Sequence, residues 1–163
     1  NDTISLQLKA DYLSGGTLSG GKYDYYWTRA STGFYPSSNT LKGYQFGISD
    51  YFSPYTVDSG RGNLNNLGQA ELKIKANDNL ARGVTYRYSA NANVEDIDRQ
   101  VVSARQSVVV HPASFYIGAK FASGDNYYWS PFVKKGQNQE VNFILVQEDQ
   151  NLLNKVKNKK MKE

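Results

Sequence analysis

One histidine, His111, and no cysteine bound the chemistry open to this chain of 163 residues. A Ser-His-Asp triad would have to be built on His111, since an imidazole must take the proton from the nucleophile. Without cysteine there is no disulfide, thiolate metal site or cysteine nucleophile. His111 stands in "VVVHPASFYIG", residues 108–118, after a run of valines that reads as the end of a strand. Pro112 has no N–H to give a ladder and forces extended geometry on the residue before it, so the strand stops there. The sequence therefore assigns His111 and Pro112 to a domain junction. It assigns no residue to catalysis, a metal or a cofactor.

Other chemistry-bearing residues have plainer uses. Asp96 and Asp98 in "VEDIDR", and Asp50 and Asp58 around an aromatic loop, are acids that can bind calcium or move protons. In a turn, however, Asp serves its own backbone as an acceptor. "GRGNLNNLG" has glycines but neither phosphate-loop spacing nor a following helix. Tyr25, Tyr26, Trp27, Tyr44, Phe46, Tyr51, Phe52, Tyr55, Tyr127, Tyr128 and Trp129 supply aromatic surface for a sugar platform or for core packing, and core packing is the reading adopted. Residues 155–163 hold five lysines against one glutamate, which accounts for the whole formal charge of +4. A basic tail on a neutral body reads as a solvated segment, not a nucleic-acid face. No apolar run approaches the ~20 residues of a membrane helix.

The elements that must carry these residues are strands. Ile4, Leu6 and Leu8 alternate with Ser5, Gln7 and Lys9, and Ala70, Leu72 and Ile74 with Glu71, Lys73 and Lys75. That period of two marks half-buried strands. "KYDYYWTR" places Tyr23, Tyr25 and Trp27 on one face. The clearest strand is "VTYRYSANANVE", with Val84, Tyr86, Tyr88, Ala90, Ala92 and Val94 together, and "QVVSARQSVVV" returns from it as a hairpin. "SFYIGAKF" and "QEVNFILVQ" follow. Residues 30–68 read as loop-rich, with a short strand near 44–48. "NDTISLQL" resembles residues 136–146, as if one structural position occurred twice. Together these predict an all-β, antiparallel β-sandwich of fibronectin or immunoglobulin type, with Leu6, Leu8, Leu72, Ile74, Tyr86, Tyr88, Val108 and Val110 buried.

The order of motifs resembles the bacterial alpha-2-macroglobulin family. "DTISLQLKADYLSGGTLSGGKYDYYWTR" is similar to the family's strand, Ala-x-Tyr-x-x-Gly, Gly-turn and strand ending in Arg. "GYQFG" resembles the element after its proline-rich loop. "VDSGRGNLNNLGQAELKI" resembles its Thr-Asp-x-x-Gly-x-Ala-x-Leu hairpin, with Gly68, Ala70 and Leu72 in register. Residues 86–121 resemble its Tyr-x-x-x-Ala-x-Val-x-Asp-x-x-x-Arg ending and the entry to the next domain. The departure is "DIDR", where the family has a glycine in the turn.

The resemblance implies macroglobulin-like domains: residues 1–112 as one sandwich lacking its first strand, and residues 113–163 as the opening strands of a following, incomplete one. It implies a non-catalytic structural module of a protease-trapping (endopeptidase inhibitor) protein, periplasmic or at the cell surface, with neither thioester nor bait region in this stretch. Its partners would be neighbouring domains of the same chain and, through the full-length protein, target proteases, with no nucleic acid and no membrane span. The alternative is an adhesin or carbohydrate-binding sandwich. Residues 113–150 are expected either to fill the missing-strand position of the first sandwich or to pair with a second copy in a strand-swapped homodimer.

Overall fold

The computed structural model describes residues 3–47, 53–76, 83–122, 136, 140–147 and 152–155. Tyr51, Phe52, Tyr127, Tyr128, Trp129 and Asp50 lie outside the described residues. The chain is all-β and antiparallel: β1 Thr3–Lys9, β2 Lys22–Thr32, β3 Gln45–Phe46, β4 Tyr55–Asn63, β5 Gln69–Lys75, β6 Thr85–Glu95, β7 Val101–Val110, β8 Phe115–Phe121, β9 Val141–Gln147 and β10 Leu152–Lys155, with one 3₁₀ turn, Asn39–Leu41. No helix among the described residues is long and apolar enough to cross a membrane.

By packing, the chain forms two compact units. The first comprises Asn1–Thr32, Asp50–Arg82 and Tyr86–Val110; the second comprises Gly33–Ser49, Gly83–Thr85 and His111–Glu163. Residues 33–49 thus group with the second unit, although they fall inside the 1–112 span of the sequence reading.

The first unit is a sandwich of the two-stranded sheet β1-β5 and the four-stranded sheet β4-β2-β6-β7. In the small sheet Ile4 faces Ile74, Leu6 faces Leu72 and Leu8 faces Ala70. Leu8, Leu72 and Ile74 are buried. Their outward neighbours carry the polar contacts: Ser5 Oγ donates to Glu71 Oε1 at 2.6 Å and Lys73 pairs with Glu71 at 2.8 Å. The large sheet contributes Trp27, Tyr86, Tyr88, Ala90, Ala92 and Val94, all buried.

Two features differ from the sequence expectation. First, the loop-rich stretch 30–68 contains β4, a nine-residue strand. Its Gly60 and Gly62 sit opposite Tyr25 and Tyr23, and a Cβ on either would fall within 3 Å of the facing ring. Glycines weaken a strand signal, yet here they leave room for the two tyrosines to lie across the neighbouring strand. Second, Val108 is 40% exposed, and Val110 and Leu6 are only half-buried. The register puts Val110, Val108, Gln106, Ala104 and Val102 beside Tyr86, Tyr88, Ala90, Ala92 and Val94, on the same core-directed face. The β6 residues are covered and their β7 partners at the sheet edge are not.

The second unit is the sheet β10-β9-β8-β3. One face, carrying Tyr116, Ile144 and Val146, is buried. Leu41 joins Ile144 and Val146 in one core, and Phe34, Tyr44 and Phe46 pack against it. Gly118 lies under the Phe46 ring with no room for a side chain. The opposite face leaves Phe115, Ile117, Phe121 and Phe143 exposed. The expectation that residues 113–150 fold back into the first sandwich is corrected here. β8 and β9 pair with each other and with β3 and β10 instead. The segment 33–49 supplies β3, Phe34 and Leu41, and so gives them a sheet edge and a core of their own.

Candidate functional site

His111 follows β7 directly and opens the last of the three segments of the second unit. Its Nδ1 shares a 2.6 Å hydrogen bond with Tyr116 Oη, and Tyr116 Oη shares another, at 2.7 Å, with Thr85 Oγ1. Phe34 stacks flat on Tyr116, with centroids 4.0 Å apart and planes 7° apart, and meets His111 edge-on at 6.3 Å. All four residues belong to the second unit. Phe34 lies just beyond β2, Thr85 opens β6, His111 ends the return of β7 and Tyr116 stands inside β8, so the cluster ties together four separate stretches of chain.

The sequence explains part of this arrangement. Pro112 holds His111 extended. The alternation of "SFYIGAKF" then sends Tyr116 to the covered face, where it is 4% exposed. A buried phenol needs a partner for its hydroxyl, and here it has both a ring nitrogen and a threonine hydroxyl.

Chemically the chain runs imidazole, phenol, hydroxyl. The described partner of His111 is a phenol, not a serine nucleophile or an orienting carboxylate. Tyr116 and Thr85 are both buried, and Phe34 covers one face of the Tyr116 ring. The geometry suits a clip that fixes strand ends better than a proton-transfer device.

The candidate acids have local roles. Asp96 Oδ1 accepts the backbone N–H of Asp98 at 2.8 Å and of Gln100 at 2.9 Å. This is the Asx arrangement expected of aspartate in a turn. The turn closes through Arg99, whose φ of 62° lies in the left-handed region. Arg99 therefore holds a backbone conformation that ordinarily favours glycine. Asp58 accepts a 3.3 Å hydrogen bond from Tyr25 Oη. Burial first, then the Asp58 charge and hydrogen bond, push the Tyr25 phenol above its ordinary value. Among the described residues no three His, Asp or Glu side chains gather as a metal site would require.

Among the described aromatics named above, Trp27, Tyr44 and Phe46 pack inward, whereas Tyr26 and Tyr55 are exposed. Trp27 is 1% exposed and cannot stack on a sugar. Tyr23 and Tyr25 lie against each other, centroids 6.3 Å apart, over the glycines of β4.

One buried group was not legible as special. Arg29, two residues from Trp27 on the same face of β2, is 7% exposed. Its guanidinium lies 4.7 Å from the Tyr55 ring centroid, 5.1 Å from that of Tyr86 and 6.0 Å from that of Tyr88. In the sequence it reads only as the polar end of a strand.

No protein-family model matches the chain, and no curated protein matches it. Solved structures match it by fold. Against the native conformation of E. coli alpha-2-macroglobulin the TM-score is 0.66 at 16% identity, covering 93% of this chain and 10% of that one. Against Escherichia coli alpha-2-macroglobulin activated by porcine elastase it is again 0.66 at 16% identity, covering 91% and 13%. Salmonella alpha-2-macroglobulin reacted with methylamine gives 0.63 at 17% identity, covering 90% and 10%. The chain thus spans roughly a tenth of each of these proteins, and it shares with them the antiparallel, all-β architecture of macroglobulin-like domains.

Proposed function

We propose that this chain is a non-catalytic structural module of an exported, alpha-2-macroglobulin-like protein that traps proteases. The supporting observation is the likeness at a TM-score of 0.66 over 93% of the chain, because that coverage takes in both compact units and is not confined to a single common sandwich. The partners are the neighbouring domains of a longer chain and, through it, the proteases it confines. In this reading the His111–Tyr116–Thr85 clip is architectural.

The same reading makes residues 1–112 a sandwich without its first strand and residues 113–163 the opening of the next. Its support lies in the two resembling segments. β9 has neighbours on both edges, β8 and β10, whereas among the described residues β1 has β5 alone. If β1 and β9 hold equivalent positions, the counterpart of β8 is a strand that pairs with the free edge of β1 and roofs β7. A second copy could lend that strand, giving the strand-swapped dimer.

The test uses the full-length product of the gene. It is mixed with trypsin or elastase and run on size exclusion with activity assays on a small peptide and on a large protein substrate. The expected result is a protease that co-elutes with the protein, still cleaves the peptide and is shielded from the large substrate. A protease that elutes free, with both activities unchanged, refutes the proposal.

A further inference from the structure

Buried arginines ordinarily sit opposite a carboxylate, because an ion moved from water into a protein interior loses several kcal/mol of solvation unless it is paired. Arg29 breaks that pattern. It is more than nine-tenths buried, and its Nε and Nη1 find no hydrogen-bond acceptor among the described residues. Tyr55, Tyr86 and Tyr88 lie over the guanidinium. Rings attract a cation but do not accept its N–H bonds in the plane of the fork. The Tyr88 hydroxyl, in the same cage, is also buried without a partner. The Tyr88 ring centroid is 6.0 Å from the guanidinium carbon, so one acceptor seated between them would serve both groups.

We propose that Arg29 and Tyr88 form a binding site for a carboxylate. Its charge matches the single cation, so the pair enters the aromatic cage neutral, whereas a phosphate dianion would leave an uncompensated charge in a desolvated place. Its planar oxygens suit a guanidinium, and a second acceptor position can take the phenol proton. Tyr55 is the wall nearest to solvent: it is 45% exposed and opens the edge strand β4, opposite Arg29 in register. The carboxylate enters past Tyr55. It is supplied either by a small free anion or by an aspartate or glutamate from a flanking part of a longer chain. The proposal does not depend on protease trapping.

The test is thermal unfolding of this chain in sodium acetate against sodium chloride at equal ionic strength, for wild type, R29M, R29K and Y88F. Wild type should gain Tm with acetate in a saturable way beyond chloride. R29M and R29K should show no acetate-specific gain, and Y88F should need roughly tenfold more acetate for the same gain, as expected for one lost hydrogen bond to a charged group. A wild-type Tm that follows ionic strength alone overturns the proposal, as does an R29K response equal to wild type; either result leaves buried water as the acceptor. If R29M does not fold, R29K and Y88F decide. The same titration on the chain extended through its flanking sequence separates the sources. A response kept there indicates a free anion, and a response lost there indicates a side-chain carboxylate already seated.

Discussion

Gly68 offers a test of how tightly the small sheet is tied to its loop. Its φ is 67°, and its N–H donates to Asn65 O at 2.9 Å while its own carbonyl accepts Ala10 N at 3.0 Å. A Cβ there would sit 2.6 Å from the Ala10 carbonyl oxygen and 3.3 Å from Leu18 N, both backbone atoms. That Ala10 carbonyl is itself held by Leu18 N–H at 3.1 Å, so it cannot swing away freely. Gly68→Ala therefore meets two costs. The left-handed backbone costs a residue with a side chain about 1–2 kcal/mol. The forced contact adds about 1–3 kcal/mol, the range for overpacking. Gly20 separates the two: its φ is 72°, but nothing lies within 4 Å of its added Cβ. Gly20→Ala should lose only the first amount. Urea unfolding of both variants, followed by tryptophan fluorescence of the buried Trp27, should show Gly68→Ala the less stable by about 1–3 kcal/mol. Equal losses would mean that the Ala10 carbonyl yields, and the close-approach reasoning would fail.

The opposite sign is expected at Arg99, whose φ of 62° costs an exposed arginine the same left-handed penalty. Arg99→Gly should raise stability by up to about 1 kcal/mol in the same urea assay, and a loss would refute the reading of that turn. Leu72→Ala should remove about 2–5 kcal/mol from a site 2% exposed, while Val102→Ala, at 71% exposed, should change stability by less than about 0.5 kcal/mol; comparable losses would show β7 to be covered in solution. Tyr25 predicts an alkaline limb. Its phenol holds a proton more tightly folded than unfolded, so its contribution is whole below the ordinary value of 10.0 and fades as pH climbs from there through the folded value. Asp58→Asn should bring the ultraviolet tyrosinate titration of Tyr25, taken as the difference from Tyr25→Phe, back toward that ordinary value. A midpoint that does not move would rule out Asp58 as a cause.

Legibility followed the arrangement of the side chains. Where apolar residues alternate strictly, as in β1, β5 and β6, period two alone identifies the strand and its inner face. β4 escaped because Gly60 and Gly62 carry no side chain to show the period; their meaning lies in Tyr23 and Tyr25 on the neighbouring strand, which only a register reveals. Val108 was misjudged for a related reason. Alternation tells which face a residue takes, not whether another layer covers that face. The end of β7 before His111 could be read from Pro112, but the partners of His111 could not, since Thr85, Phe34 and Tyr116 come from stretches that no local pattern joins. Arg29 looked ordinary because burial of a charge depends on what stands over it.

The two units share a physical feature. Each presents an apolar sheet face to solvent: Val102 and Val108 in the first, and Phe115, Ile117, Phe121 and Phe143 in the second. Burying one such side chain is worth roughly 1.5–3 kcal/mol, comparable with a sizeable part of a domain's net stability. Edge strands that stand alone are usually blunted by lysine, proline or a bulge. β7 pairs with β6 without a register shift over its whole length and carries only Arg105 as a charge. Nor do polar residues break up the outward row of Phe115, Ile117, Ala119 and Phe121 on β8. Such faces are composed as interior surface. They fit the proposed reading, in which the chain is one stretch of a longer protein and much of its stability comes from neighbours. The same logic bears on the proposed Arg29 site, because a buried guanidinium whose Nε and Nη1 lack an acceptor among the described residues suits something that arrives from outside.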